Sequence, residues 1–265
     1  MTAARRWLVG VIHLPPLPGS PRSEKTTREL ARACAADARV LADAGYDVAM
    51  VENFGDAPFF RGPVPPITVS AMTACAVAAA EAAPDLTLGI NVLRNDAEAA
   101  LAIAHVVGAA CVRVNVLVGA RVTDQGLVEG DAAGTLRTRR ALGAERVQIW
   151  ADVDVKHSSA LAPSSPAQEA RDLVKRALAD ALLVTGEGTG FAVDLAKLAE
   201  VRRAAPSTPL LVASGATESS LASLAGACDG VIVGSALRAD GVAGGPIDPA
   251  RAASFAAAFR AAFAG

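Results

Sequence analysis

The sequence is poor in the residues that would link it to a nucleic acid, a zinc site or a membrane. It contains one Tyr and two Trp, and its net charge is −2 without a basic block, so neither base stacking nor binding to a phosphate backbone is supported. The four Cys are scattered and form no CxxC pair, which argues against a disulfide framework or a zinc site. No run approaches the roughly 18 apolar residues of a membrane span. We therefore predict a cytoplasmic protein with no nucleic-acid partner and no membrane span.

The N-terminal stretch MTAARRWLVGVIHLPPLPG combines two arginines with a short apolar run, as export signals do. The apolar run is only about seven residues long, and it ends in prolines without a cleavage site. We interpret it as a first β-strand.

Eight short segments rich in β-formers alternate with alanine-rich segments of helical periodicity. The sequence predicts strands at 7–13, 47–53, 86–92, 111–116, 147–153, 181–185, 209–213 and 230–234. It predicts helices at 26–44, 68–83, 97–107, 132–142, 166–179, 194–203, 219–225 and 249–263. Such alternation indicates βαβ units and a parallel sheet.

Eight repeats over about 250 residues match a closed (β/α)8 TIM barrel. We predict this α/β fold as a single domain over residues 1–265. A doubly wound open sheet is the alternative, but the GxGxxG that would follow its first strand is absent.

Alternation within the strands indicates which side chains face the barrel axis. In the third strand, Leu88, Ile90 and Val92 are all aliphatic, so this face is predicted to pack under the helices and the mixed face to point inward. The same rule places one polar residue at the inner carboxyl end of each of the first five strands: His13, Glu52, Asn91, Asn115 and Asp152. Because active sites of such barrels lie at this rim, the pattern indicates an enzyme.

Six residues are candidates for catalysis: Glu52, Asp152, Lys156, Asn115, Asn91 and His13. His13 could act as an acid/base group or metal ligand, or simply bond to a backbone carbonyl. A buried Glu52 is either catalytic or paired with Arg113 or Lys156. Arg113 itself needs a partner on the inner face, for which Glu52 and Asp152 are candidates.

The segment ADVDVKH places Asp152, Asp154 and Lys156 at alternate positions, so an extended chain would point all three the same way. Asp152 and Asp154 could then hold a divalent cation such as Mg2+, with help from His13 or Glu52. Lys156 would bind a phosphate, transfer a proton or form a Schiff base. A solvated ion pair at the rim is the alternative. No cofactor is required by the sequence.

Glycine-rich turns follow the last three strands: TGEGTG at 185–190, SGAT at 214–217 and GS at 234–235. Glycines bring backbone N–H groups close to an anion, and the loops after the seventh and eighth strands commonly bind phosphate in this fold. The candidates for substrate binding are Arg113, Asp124, Thr185, Gly186, Ser214, Gly215, Thr217, Gly234 and Ser235.

Two loops at the same rim are long enough to suggest a role. The loop 117–131 carries Asp124 and is predicted to act as a lid or to contact substrate. In the stretch VENFGDAPFFRGPVPP, prolines stiffen the chain after Glu52, and we expect a pre-organised lid. Phe59 and Phe60 would pack this loop down or form an apolar wall beside the substrate.

The chain resembles the BtpA/SgcQ family in GVIHLPPLPGSPR, VENFGDAPFF, GINVLRNDA, VRVNV, VTDQGLVEG, ADVDVKH, LVTGEGTG and VIVGS. These stretches span almost the whole chain. The resemblance implies a TIM-barrel-like fold. It also implies an association with photosystem I biogenesis, known for one member, or with bacterial sugar uptake, known for others.

Two functions follow as hypotheses. The first is a cytoplasmic enzyme that acts on a small phosphorylated metabolite, a sugar phosphate or nucleotide-like compound, by isomerase, lyase or hydrolase chemistry. The second is a non-catalytic assembly, biogenesis or regulatory factor, as the family name suggests. The sequence leaves open whether the protein forms a homo-oligomer.

Overall fold

The computed structural model describes residues 6–162, 164–186 and 193–264. Eight parallel strands close into a barrel in the order β1-β11-β10-β9-β7-β4-β3-β2. These are β1 (Trp7–His13), β2 (Val48–Glu52), β3 (Thr87–Asn91), β4 (Cys111–Val114), β7 (Gln148–Val153), β9 (Ala181–Val184), β10 (Leu210–Val212) and β11 (Gly230–Val233). The predicted (β/α)8 barrel is confirmed.

Helices alternate with the barrel strands. They are α1 (Thr27–Ala44), α2 (Pro66–Ala82), α3 (Ala97–Val107), α4 (Ala132–Ala141), α5 (Pro166–Lys175), α6 (Leu195–Ala204), α7 (Leu221–Ala225) and α8 (Pro249–Phe263). Local chemistry sets several starts: Thr26 and Glu29 form a capping box on α1, and Asp96 caps α3. The fifth predicted helix ends early, at Lys175, and Leu178 beyond it has a φ of 54°.

The predicted fourth strand is also shorter than expected, because a side chain replaces its ladder partner. The Asn95 amide accepts a hydrogen bond from the Val116 N–H and donates one to the Val116 carbonyl, both at 2.8 Å. These bonds satisfy the backbone just past Val114, where β4 ends.

The predicted loop 117–131 instead forms a hairpin, β5 (Ala120–Thr123) and β6 (Gly126–Glu129), which is a correction. With β8 (Ser158–Ala160) it makes a small antiparallel sheet in the order β6-β5-β8. Buried Arg121 anchors this sheet through ion pairs with Asp154 and Glu169.

The inward and outward faces of the strands follow the predicted alternation. Leu88, Ile90 and Val92 belong to the large core between sheet and helices. A separate apolar cluster fills the barrel and includes Val9, Val11, Val48, Met50, Cys111, Trp150, Leu183, Leu211 and Ile232. In the part of the chain that the structure describes, no helix is long and apolar enough to cross a membrane.

Closure of the barrel between β11 and β1 depends on a glycine. Gly230 pairs with Trp7, and a Cβ added at Gly230 would lie 2.2 Å from the Trp7 carbonyl oxygen. Because the obstacle is backbone rather than the end of a flexible side chain, the two strands must separate to admit any side chain.

We expect Gly230→Ala to lower the free energy of unfolding by about 1–3 kcal/mol, as overpacking does. Urea denaturation would measure it. Gly62→Ala is the matched control, since an added Cβ at Gly62 has no neighbour within 4 Å. Equal stability of the two variants would contradict the close approach at the β1–β11 seam.

Candidate functional site

A cavity of about 240 Å³ opens at the carboxyl ends of the barrel strands. The last inward-facing residues of several strands, His13 and Glu52 among them, line this cavity. The cavity therefore lies above the apolar cluster that fills the barrel. Its lining includes Val11, His13, Glu52, Phe54, Phe59, Leu93, Arg94, Arg113, Asn115, Lys156, His157, Ser214, Gly215, Gly234 and Ser235. Most of the predicted site residues are therefore brought together around one space.

Glu52, at the end of β2, is the acidic group among the described residues that line the cavity. It is 7% exposed and accepts a hydrogen bond of 2.6 Å from the Asn91 side-chain amide. The His13 Nε2 atom lies 3.8 Å from its other carboxylate oxygen. Asn91 does not line the cavity, so its place is beside Glu52, where it fixes the orientation of the carboxylate.

His13 is held as a neutral imidazole of defined tautomer. The Gly244 N–H donates to Nδ1 at 3.1 Å, so Nδ1 must carry a lone pair and the ring proton lies on Nε2, toward Glu52. Burial lowers the pKa of His13 well below its usual value, and the positive charges of Arg238 and Lys156 lower it further. At neutral pH His13 is therefore a hydrogen-bond donor through Nε2.

The floor of the cavity is organised by a buried ion pair. The Arg113 guanidinium donates to both oxygens of Asp152, at 3.0 and 2.9 Å, and the Asn115 amide donates to one of them at 2.6 Å. Asp152 is 1% exposed and does not line the cavity. It therefore positions Arg113 and Asn115, which do line it, and is not placed to touch a ligand.

Lys156 enters the cavity from the loop after β7, and its backbone is clamped on two sides. Its carbonyl accepts a 2.8 Å hydrogen bond from Arg94, and its N–H donates to the Thr185 hydroxyl at 3.2 Å. Burial lowers the pKa of Lys156 to about 8, assisted by the neighbouring Arg113 charge and opposed by Glu52. Its ammonium therefore exchanges a proton readily near neutral pH.

The predicted row of Asp152, Asp154 and Lys156 does not form, because the chain leaves extended geometry at Asp154, whose φ is 51°. Asp154 instead pairs with Arg121 and Lys197. Asp152 and Asp154 are thus both occupied by cations and do not converge as metal ligands. Among the described residues, no group of three or more His, Cys, Asp or Glu is arranged to hold a metal ion.

The glycine turns after β10 and β11 meet on one side of the cavity, where Ser214, Gly215, Gly234 and Ser235 line it. Gly215 has a φ of 74°, which other residues adopt only with strain. Thr217 faces away, because it caps the short 3-10 turn Glu218–Ser220. It lines a neighbouring cavity of about 330 Å³ that shares Gly215 and Ser235.

Other predicted contacts lie further out. Thr185 supports the backbone of Lys156, and Gly186 is absent from the cavity lining. Asp124 sits in the β5–β6 turn, hydrogen-bonded to Gln125, and also does not line the cavity. The remainder of the TGEGTG turn, residues 187–190, lies outside the described residues.

The loop after β2 closes one wall of the cavity. Phe54 packs on His13 with ring centroids 4.4 Å apart, and Phe59 lines the cavity as expected. Phe60 does not, since it is 57% exposed. Gly55 allows the loop to lie against Pro16, because a Cβ there would be 2.4 Å from the Pro16 nitrogen.

Sequence reasoning missed three residues of the site. Arg94 and His157 line the cavity, and His157 directly follows the predicted site residue Lys156. Arg238 lies behind it, 2% exposed, and donates to the carbonyls of Val11, Gly234 and Gly244. A cationic side chain two residues after the predicted third strand, 86–92, was the available signal for Arg94, whereas nothing local marked Arg238.

The charges around the cavity favour an anionic ligand. Arg94, Arg113 and Lys156 contribute positive charge to its lining, and Glu52 contributes the carboxylate. Asp152 neutralises Arg113 in part, but from below the floor.

Comparison with known proteins identifies a family and several relatives. The model of the BtpA family matches residues 4–261. The Photosystem I biogenesis protein BtpA of Synechocystis is 43% identical over 248 residues, which cover 94% of this chain and 86% of the relative. An uncharacterized protein of Methanocaldococcus jannaschii is 39% identical and covers 92% of both chains.

Solved structures at much lower identity share the fold. Phosphoribosyl anthranilate isomerase from Thermus thermophilus aligns with a TM-score of 0.57 at 13% identity, covering 96% of this chain and 98% of the other. (S)-3-O-geranylgeranylglyceryl phosphate synthase from Thermoplasma acidophilum aligns with a TM-score of 0.57 at 16% identity, covering 98% and 93%. These similarities support the barrel architecture alone, whereas the match over nearly all the sequence shows that the chain belongs to the BtpA family.

Proposed function

We propose that the protein is an enzyme that binds a small phosphorylated metabolite in the rim cavity and transfers protons on it. The phosphate rests on the turns Ser214–Gly215 and Gly234–Ser235. The reacting carbons lie over Glu52 and Lys156. The observation that carries the proposal is that two serine–glycine turns, Glu52 and Lys156 line one cavity.

The proposed wall suits a phosphate because it supplies both hydroxyl and backbone donors. Ser214 and Ser235 bring hydroxyl groups, and Gly215 lets a bulky anion approach the backbone. The missing side chain of Gly234 instead makes room for the His13 ring, which a Cβ there would approach to 2.8 Å. The cationic lining from Arg94, Arg113 and Lys156 adds long-range attraction.

The remaining groups divide into a base, an acid and hydrogen-bond donors. Glu52, oriented by Asn91, removes a proton from the substrate. Lys156 returns one, since its pKa is lowered to about 8 by burial. The neutral His13 imidazole and the charged Arg113 guanidinium donate hydrogen bonds to the oxyanion that develops. This assignment fits isomerase or lyase chemistry, and with water as nucleophile it fits a hydrolase.

The similarity to solved structures shows only that the chain shares its fold with barrels whose names contain phosphorylated ligands. At 13% and 16% identity, these barrels support architecture only. The proposal therefore depends on the side chains of this chain. A divalent cation such as Mg2+ has no assigned role in it, because Asp152 and Asp154 already bind cationic side chains.

A second candidate is a non-catalytic biogenesis factor. It is favoured by the 43% identity to the Synechocystis relative, whose name describes photosystem I biogenesis. That function needs no ligand in the rim cavity, so the experiments below separate the two.

Inorganic phosphate should stabilise the protein by binding the proposed wall. At a concentration about 100-fold above its Kd it should add about 2.7 kcal/mol, a rise of several degrees in Tm. Ser235→Asp should abolish the rise, because it places a carboxylate where the anion binds. Thermal denaturation with and without phosphate measures both effects.

Ser223→Asp adds the same charge at an exposed position of α7 and serves as the control, which should keep the full response. A wild-type protein that does not respond to phosphate, or a Ser235→Asp variant that responds fully, would contradict the phosphate wall.

Anion affinity should weaken as Lys156 loses its proton. Sulfate is the better probe here, because it keeps its charge throughout the range in which Lys156 titrates. The pKa of Lys156 is lowered to about 8, so its cation is present below that pH and is lost above it. We expect sulfate to bind about tenfold more weakly at about pH 9.5 than at about pH 7.

Isothermal titration calorimetry at the two pH values checks this expectation. The Lys156→Gln variant should bind sulfate weakly at both pH values, with no difference in affinity between them. Lys175→Gln, at an exposed position of α5, should behave as wild type. A pH dependence that persists in Lys156→Gln would show that another group is responsible.

A further inference from the structure

Two amide side chains at the ends of adjacent barrel strands have buried oxygens that receive no hydrogen bond from any described residue. The Oδ1 atoms of Asn91 and Asn115 accept no hydrogen bond from the described part of the chain. Asn91 is 1% exposed and Asn115 is 4% exposed. Buried acceptors without a donor are costly and rare, so a donor from outside the chain is expected at such a position.

The orientation of the Asn115 amide is fixed by its neighbour. Its nitrogen donates to Asp152 at 2.6 Å. Turning the amide over would bring its oxygen against a carboxylate that has no hydrogen to donate. Asp152 is itself held by both donors of Arg113. The oxygen is therefore held away from Asp152, in a residue that lines the rim cavity.

The surroundings define what kind of donor fits. A protonated amine would meet the positive charges of Arg94, Arg113 and Lys156, which share the lining. A hydroxyl group carries no charge, and it both donates and accepts hydrogen bonds. A hydroxyl group can donate a hydrogen bond to Asn115 Oδ1 and at the same time accept a hydrogen bond from one of these cationic side chains.

We propose that the substrate carries a hydroxyl group that donates to Asn115 Oδ1, so that the protein acts on phosphorylated sugars or polyols and discriminates against phosphate esters of apolar groups. This inference rests on the proposed function, because it needs the phosphate end of the substrate on the Ser214–Gly215 and Gly234–Ser235 turns. Asn115 then determines specificity, by leaving a buried acceptor unpaired when the hydroxyl is missing.

The test compares pairs of ligands with the same number of carbons. Sugar and polyol phosphates of three to six carbons, ribose 5-phosphate among them, are each matched to the straight-chain alkyl phosphate, pentyl phosphate in that case. Calorimetry should show that at least one hydroxylated ligand binds about tenfold or more tightly than its alkyl partner. Asn115→Ala should reduce that ratio to near one.

Asn95→Ala is the matched control, because Asn95 also supports the end of β4 through its amide but does not line the rim cavity. It should retain the ratio even if stability falls. The ratio is the deciding quantity, since a general loss of structure weakens both ligands of a pair. If Asn115→Ala does not fold, the wild-type ratios decide alone.

The outcomes separate this inference from the proposed function. If inorganic phosphate and alkyl phosphates bind as well as every sugar or polyol phosphate, the phosphate wall stands and the hydroxyl contact at Asn115 is wrong. A hydroxyl preference that survives in Asn115→Ala would also overturn it. If no phosphorylated ligand binds at all, the proposed function itself fails.

Discussion

The ion pair between Arg113 and Asp152 is the interaction on which the rim of the barrel depends. Both groups lie where most barrels place apolar side chains, with 5% and 1% of their surfaces exposed. A buried charge without its partner is strongly destabilising, so neither residue can move without the other. Their two hydrogen bonds fix the level at which the apolar filling of the barrel stops and the cavity begins.

The charges of this pair also act on Lys156 in the cavity. Asp152 accepts hydrogen bonds from Arg113 on both of its oxygens and from Asn115 on one of them. The charges of Glu52 and Asp152 both oppose the effect of burial on the pKa of Lys156, whereas the charge of Arg113 adds to it. Burial has the larger effect, and it lowers the pKa of Lys156 to about 8.

The sequence predicted the barrel and its polar rim well because both follow from short-range periodicity. Alternation along each strand assigned Glu52 and Asn115 to the inside without any knowledge of tertiary contacts. It failed at Asp154, where one left-handed residue turned the carboxylate toward Arg121 and Lys197. It also could not separate Asp152, which lies beneath the cavity, from the groups that line it. Such distinctions arise from contacts between residues far apart in the sequence, as between Arg113 and Asp152 on the paired strands β4 and β7.

Arg238 shows most clearly why a distant contact escapes sequence reasoning, and it links closure of the fold to the site. Its donors bind the carbonyl of Val11 in β1, that of Gly234 just past β11, and that of Gly244 in the last loop. The same Gly244 donates to His13 and so fixes which imidazole nitrogen carries the proton. One buried guanidinium therefore connects the seam that closes the barrel, the turn proposed to bind phosphate and the loop that sets the tautomer of His13. A shift of the β1–β11 seam would therefore change the turn after β11 and the His13 hydrogen-bond donor together, because Arg238 and Gly244 connect them.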